Sequence, residues 1–229
     1  MQSIKHFFKI FSLSGANKQI DVSFFDLISM LTILFFVMLV MMIGDTLLHL
    51  NPFGVPRIYW VLFDPLVHGT LALVVISPLF FHQDMAGQTR WLLIAVAAAI
   101  LIDIDHFIAA GSFSINDAIH LSGRPAAHSL LFAVSCALII RLLSDNPIAG
   151  WLLFIALLSH ILRDASVGGG GIPFFWPLTI NFQLSMPAYY ATQMSLCLLA
   201  AIIGGWPKLP LWSDGLWQTG LRILGYPIS

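Results

Sequence analysis

The sequence predicts an all-α, polytopic transmembrane helical bundle of about six spans, and three observations carry that prediction. The 229 residues are 59% hydrophobic and 9% charged, with a mean hydropathy of +0.90. A soluble domain is about one quarter charged. Several apolar runs reach the roughly 20 residues that cross a hydrocarbon core. Backbone polar groups cannot be left unpaired in lipid, so these runs must be helices rather than open strands.

In chain order, residues 1–23 carry Lys5, Lys9 and Lys18 around "HFFKIF" and read as a short interfacial segment. The first apolar run starts only after residue 23. It is too long for a signal h-region and no A-x-A-like site follows, so it reads as a retained first span. The predicted spans are 24–48, 66–82, 91–110, 128–143, 148–166 and 187–205. Between them lie the breakers "NPFGVPR", "QDMAGQTR", "SGRP", "SDNP" and "GGGGIPFFWP". The Trp-rich tail "WPKLPLWSDGLWQTGLRILGYPIS" suits a segment lying at headgroup level. The expected organisation is a segment 1–60 holding an interfacial stretch and an extra anchor, a membrane domain 61–205, and an interfacial tail 206–229.

Charge excludes some functions and orients the chain. A net charge of −1 and a pI near 6.7 provide no basic face for nucleic acid. Cys136 and Cys197 lie within apolar runs and read as small packing residues. With the N-terminus inside, Lys5, Lys9, Lys18, Arg90, Arg141, Lys208 and Arg222 fall on the cytoplasmic side, and Arg57, Arg124 and Arg163 outside. That bias predicts an N-in, C-in protein.

The polar residues inside the spans are the functional signal. Insertion scales charge about 2.5–3.5 kcal/mol for one carboxylate at the centre of a membrane helix. The stretch "AVAAAILIDIDHFIAA" nevertheless holds Asp103, Asp105 and His106. Asp64 and His68 open the second span, His128 opens the fourth, and His160 and Asp164 close the fifth. Successive spans reverse direction, so all four clusters share one membrane face. A divalent metal ion is the simplest common partner, and His/carboxylate ligands without thiolates suit Zn²⁺ first, with Mn²⁺ or Fe²⁺ behind it.

Spacing refines the ligand set. His160 and Asp164 are four apart, as are Asp64 and His68, and Asp103 and His106 are three apart, so each pair shares a helix face. His68, Asp103, His106, His128, His160 and Asp164 are the ligand candidates. Asp105 points elsewhere unless the helix unwinds, leaving it to orient a histidine, to bind a second ion, or, like Asp64, to act as general base. Arg124 and Arg163 each adjoin a proposed ligand and are candidates for holding an anionic substrate. Asp45 and His49 are weaker candidates. His6, His49 and His82 read as packing or hydrogen-bonding residues. The glycines 168–171 lack a following Lys-Ser/Thr and read as a connector.

The segments "DPLVHGTLAL", "LIDIDH", "GRPAAHSLLF", "LLSHILRDA" and "GIPFFWPLT" occur in an order and spacing that resemble the YdjM-like group, over roughly residues 64–180. That group is described as LexA-binding, inner-membrane-associated hydrolases, or membrane-bound metal-dependent hydrolases. The resemblance implies an inner-membrane location. Its early histidine falls on His68, its P-D-x-D-H-like motif on Asp103, Asp105 and His106, its T-H-S motif on His128 and Ser129, and its H-x-x-x-D motif on His160 and Asp164. Two features depart from the pattern. Gly123 and Arg124 stand where the group often has His-Arg, with His120 nearby, and residues 1–60 add a span.

The resulting expectation is a metal-dependent hydrolase at the membrane interface, with the site on the outer face. Its substrate would be an amphiphile such as a lipid or lipid-linked phosphoester, held by Arg124, Arg163 and Ser129. The rivals are a proton or cation transporter using the same residues, a haem-binding electron carrier, and a non-catalytic stress-response protein with a structural metal.

Overall fold

The computed structural model describes residues 24–51, 54, 57–80, 88–121, 123–144, 146–167 and 171–205. The predicted interfacial segments 1–23 and 206–229, His6, His82, glycines 168–170 and the side chain of His49 lie outside that description.

The described chain is a helical bundle. Its helices are α1 (Phe24–Leu50), α2 (Arg57–Ile76), α3 (Thr89–Leu101), α4 (Ile104–Ala110), α5 (Ile115–Ile119), α6 (Leu130–Leu143), α7 (Pro147–Val167) and α8 (Met186–Gly205). A 3₁₀ turn, Ser77–Phe80, extends α2. Among the described residues, five segments are long and apolar enough to cross a membrane: Ile28–Leu48, Phe63–Phe80, Thr89–Ala110, Ile148–Ser166 and Met186–Gly204. The expected fourth span is the shorter apolar helix α6. Its 14 residues rise about 21 Å, less than a full hydrocarbon core.

Helix α7 is the hub, packing against α2, α3, α6 and α8. Its apolar window is 83% buried, whereas that of α1 is 22% buried. A helix with protein on nearly every side can hold ionisable residues where a lipid-facing one cannot, and α7 carries His160, Arg163 and Asp164. Helix α3 turns Leu92, Ala95 and Ala99 inward, and the two alanines allow close approach to α7. Helix α1 buries a single stripe, Met30, Leu34, Met38 and Met42, and exposes Phe36, Val40, Ile43 and Leu47 on the other side.

Three boundaries differ from the sequence reading, and each matters for the site. Helix α2 begins at Arg57, so Asp64 and His68 sit two to three turns inside it. The third span is broken at Ile102–Asp103, between α3 and α4, and Gly111 in the left-handed conformation (φ 61°) ends α4. Helix α6 begins at Leu130 with Ser129 as its N-cap, leaving His128 in the preceding turn.

The return from α7 to α8 folds against the same end of the bundle. Leu130 N–H donates to the Phe174 carbonyl (2.9 Å), Ile172 and Phe182 pair through their backbones, and Leu184 N–H donates to the Ala165 carbonyl (2.8 Å). Phe175, Trp176, Leu178 and Ile180 stay exposed on it.

At the other end, α8 packs backbone to backbone on the 3₁₀ turn through Gly204. A Cβ there would stand 2.6 Å from the Pro78 carbonyl oxygen and 2.8 Å from Leu79 Cα. Neither neighbour is a side chain that can rotate away. Gly204→Ala is therefore expected to destabilise the bundle by about 1–3 kcal/mol, read as a lower unfolding midpoint in detergent.

Candidate metal centre

The break after α3 builds the first part of the site. A carbonyl in a helix's last turn has no intrahelical partner. That of Ala99 accepts a hydrogen bond from His160 Nδ1 (2.6 Å). Since a carbonyl only accepts, the His160 proton is on Nδ1 and the lone pair on Nε2. Orientation of a ligating histidine through its second nitrogen is the usual arrangement at metal sites.

The break also re-aims the carboxylates of "DIDH". Asp103 Oδ1 lies 3.2 Å from His128 Nε2 and 3.4 Å from His160 Nε2. Asp105 Oδ2 reaches the other nitrogen of the same imidazole, His128 Nδ1, at 3.3 Å. On α7, one turn beyond His160, Asp164 Oδ2 stands 3.2 Å from His128 Nε2 and 3.6 Å from His160 Nε2. The two Nε2 atoms are 3.3 Å apart.

Four acceptor atoms thus converge: Asp103 Oδ1, His128 Nε2, His160 Nε2 and Asp164 Oδ2. They fit a small cation. Zinc–nitrogen and zinc–oxygen bonds of about 2.0–2.2 Å put the corners of a tetrahedron about 3.3–3.6 Å apart. The five measured separations run from 3.2 to 3.6 Å. Asp164 Oδ2 is buried and makes no hydrogen bond. His128, His160 and Asp164 are at most 2% exposed. Buried carboxylates need counter-charge.

His68 and His106 are brought to the same place but spend their acceptor nitrogens differently. A guanidinium only donates, so each imidazole accepts. His68 Nε2 takes Arg163 Nη1 at 2.6 Å, and His106 Nε2 takes Arg124 Nη1 at 2.8 Å. His68 stacks on His160 with ring centroids 3.5 Å apart. Asp64 Oδ1 pairs with Arg163 Nη1 at 2.7 Å.

Arg163 is buried, and its guanidinium is further held by Asp45, through Nε at 2.9 Å and Nη2 at 2.7 Å. It has no open face for a substrate. Arg124 is part-exposed and also lies 3.3 Å from Asp164 Oδ2. Ser129 is fully buried and accepts the Phe132 N–H at 3.2 Å as the α6 cap. His120 is exposed and bonds to the Asn116 carbonyl, away from the cluster.

Asp45 is the participant that sequence reasoning leaves among the weaker candidates. It is 3% exposed and continues the buried stripe of α1 one turn past Met42. That continuation of the Leu34–Met38–Met42 spacing is the signal that could have marked it. Tyr189 O–H, on α8, also reaches Asp45 Oδ2 at 3.4 Å.

An all-helical membrane bundle with a His/carboxylate cluster at one end is the class that this fold and site define. The chain belongs to the YdjM inner membrane protein family, whose profile matches residues 63–226. It is also similar to Transmembrane protein 267 of Danio rerio, 34% identical over 155 residues covering 63% of this chain and 68% of that protein. Transmembrane protein 267 of Xenopus laevis is 40% identical over 126 residues, covering 52% of this chain and 58% of that protein. No solved structure matches the chain. Helix α1, with Asp45, precedes the family-matched residues.

Proposed function

We propose that this chain is a metal-dependent hydrolase of the membrane interface, acting on an amphiphile such as a lipid or lipid-linked phosphoester. The observation that carries the reading is the convergence of two imidazole nitrogens and two carboxylate oxygens at separations of 3.2–3.6 Å. Asp103, His128, His160 and Asp164 would hold one divalent ion, Zn²⁺ first, with Mn²⁺ or Fe²⁺ as alternatives. When bound, such an ion supplies Lewis-acid polarisation of an ester or phosphoester oxygen and acidifies water.

The chain's own residues supply the rest. Asp105 orients His128 through Oδ2, while its Oδ1, 3.0 Å from His106 Nδ1, is the proton acceptor in this reading. Arg124, steadied by His106, presents a part-exposed guanidinium to an anionic group. The exposed Phe175, Trp176, Leu178 and Ile180 lie at the same end, which supports a substrate with an apolar tail. By the charge bias, the termini are inside and the site opens on the outer face of the bacterial inner membrane. Residues 61–205 form the catalytic domain.

The test is release of phosphate, headgroup or fatty acid from mixed micelles by the metal-loaded protein. Chelation is expected to abolish release. Arg124→Gln is expected to raise KM by roughly tenfold or more, since a charge-assisted hydrogen bond contributes about 1.5–3 kcal/mol. Ion uptake by sealed proteoliposomes without product release would instead assign these residues to transport.

A further inference from the structure

We propose that Arg163, clamped by Asp45 of helix α1, is a resident cation occupying the position of a second metal ion, so that the centre takes one divalent ion. This rests on the metal-centre reading above and deepens it. Among the described residues, three sets of His and Asp at this end of the bundle have ligand atoms close enough to share an ion: Asp103–His128–His160–Asp164, Asp64–His68–Asp103 and Asp105–His106–His128. The first two share Asp103, and two ions held side by side over a common carboxylate are a familiar hydrolytic arrangement.

In the second set the place is taken. Arg163 Nη1 lies 2.7 Å from Asp64 Oδ1 and 2.6 Å from His68 Nε2, so it already holds two of the three residues of that set. A guanidinium stays charged at every accessible pH, so it cannot yield by losing a proton. It cannot readily swing away either. Its remaining donors are paired in a fork with Asp45, and departure would strand that buried carboxylate. Arg163 Nη1 also lies 4.0 Å from Asp164 Oδ1, the oxygen opposite the one turned to the first set. The guanidinium thus positions Asp164 as well as filling the gap.

The third set fails for a different reason. A neutral imidazole has one lone pair. His128 turns Nδ1 to the Asp105 carboxylate and Nε2 to the first set, so an imidazole whose lone pair serves the first set keeps its proton on Nδ1, facing Asp105. His106 Nε2 is already accepting from Arg124. Of the three, the first set is the one whose imidazole Nε2 atoms accept from no arginine.

Bound zinc per chain, measured on the metal-stripped, detergent-purified full chain by calorimetric titration and elemental analysis at saturation, tests this. Wild type is expected to take one ion. Asp45→Asn/Arg163→Met, which removes the guanidinium and its buried partner charge together, is expected to take a second, weaker ion. Adding Asp64→Ala should return the count to one, whereas a purely structural role for Arg163 would not change the count at all. Two ions in wild type would overturn the proposal while leaving the metal centre standing, as would a folded double variant that still binds one. No ion in wild type would overturn both.

Discussion

Alanine at Asp103 or at His160 is expected to leave the purified protein without its divalent metal. The two residues are 57 positions apart, on the α3–α4 break and on α7, and share no other task that sequence could enforce. Each removes one of four converging acceptor atoms, and the loss goes beyond one bond. Without Asp103 Oδ1, the Nε2 atoms of His128 and His160 face each other at 3.3 Å, and one imidazole must take up a proton or turn. Replacing a residue that merely orients a ligand costs about 10–100-fold in metal affinity, so losing a ligand should cost at least that much. Metal content after gel filtration reads the effect directly. His106→Ala is the informative contrast. Its Nε2 is occupied by Arg124, so metal should be retained while the Arg124 guanidinium loosens. Equal metal loss in His106→Ala would mean that the imidazole turns from Arg124 to the ion. Loading is also expected to release protons and to weaken in acid, because imidazole ligates only when neutral.

Much of this site is legible in the amino-acid sequence. Breakers and apolar runs place the spans, and helix reversal puts four polar clusters on one face, where the fold brings them into contact. Spacing of four correctly pairs His160 with Asp164 on one side of α7. What is not legible depends on partners distant in the chain. Nothing in "AILIDIDHF" marks a break, since it holds neither glycine nor proline, yet the break at Ile102–Asp103 lets Asp103 and Asp105 grip both nitrogens of His128. Which histidines offer a free lone pair is equally hidden. His68 and His106 differ from His128 and His160 only in having a guanidinium in reach. Ser129 is legible in another sense. A serine just before an apolar run is a helix-start signal, and opening the span at His128 passes over it. Asp45 lies furthest from view, because its partner is 118 residues away and no local pattern encodes that pairing.

That pairing makes the strongest stability prediction. Asp45→Ala in metal-free protein is expected to lower stability by about 3–5 kcal/mol, the usual cost of removing one member of a buried ion pair. The reasoning lies in what remains. Arg163 is 2% exposed, and its Nε and Nη2 would lose both acceptors with no water to replace them. Asp45→Asn/Arg163→Met should recover most of the loss, because a buried pair replaced as a unit costs little. Asp64, the other carboxylate within hydrogen-bond reach of Arg163, has a side chain 34% exposed and can turn to water. The midpoint of thermal unfolding in detergent separates the cases. If α1 were only a tether, Asp45→Ala would unfold where wild type does, because α1 would touch the site with nothing but apolar side chains. A large loss for Asp45→Ala with recovery in the double variant would instead make the first span part of the site's frame. The buried stripe from Met30 to Met42 then serves to deliver one carboxylate, at one depth, to the arginine beside the His/Asp cluster.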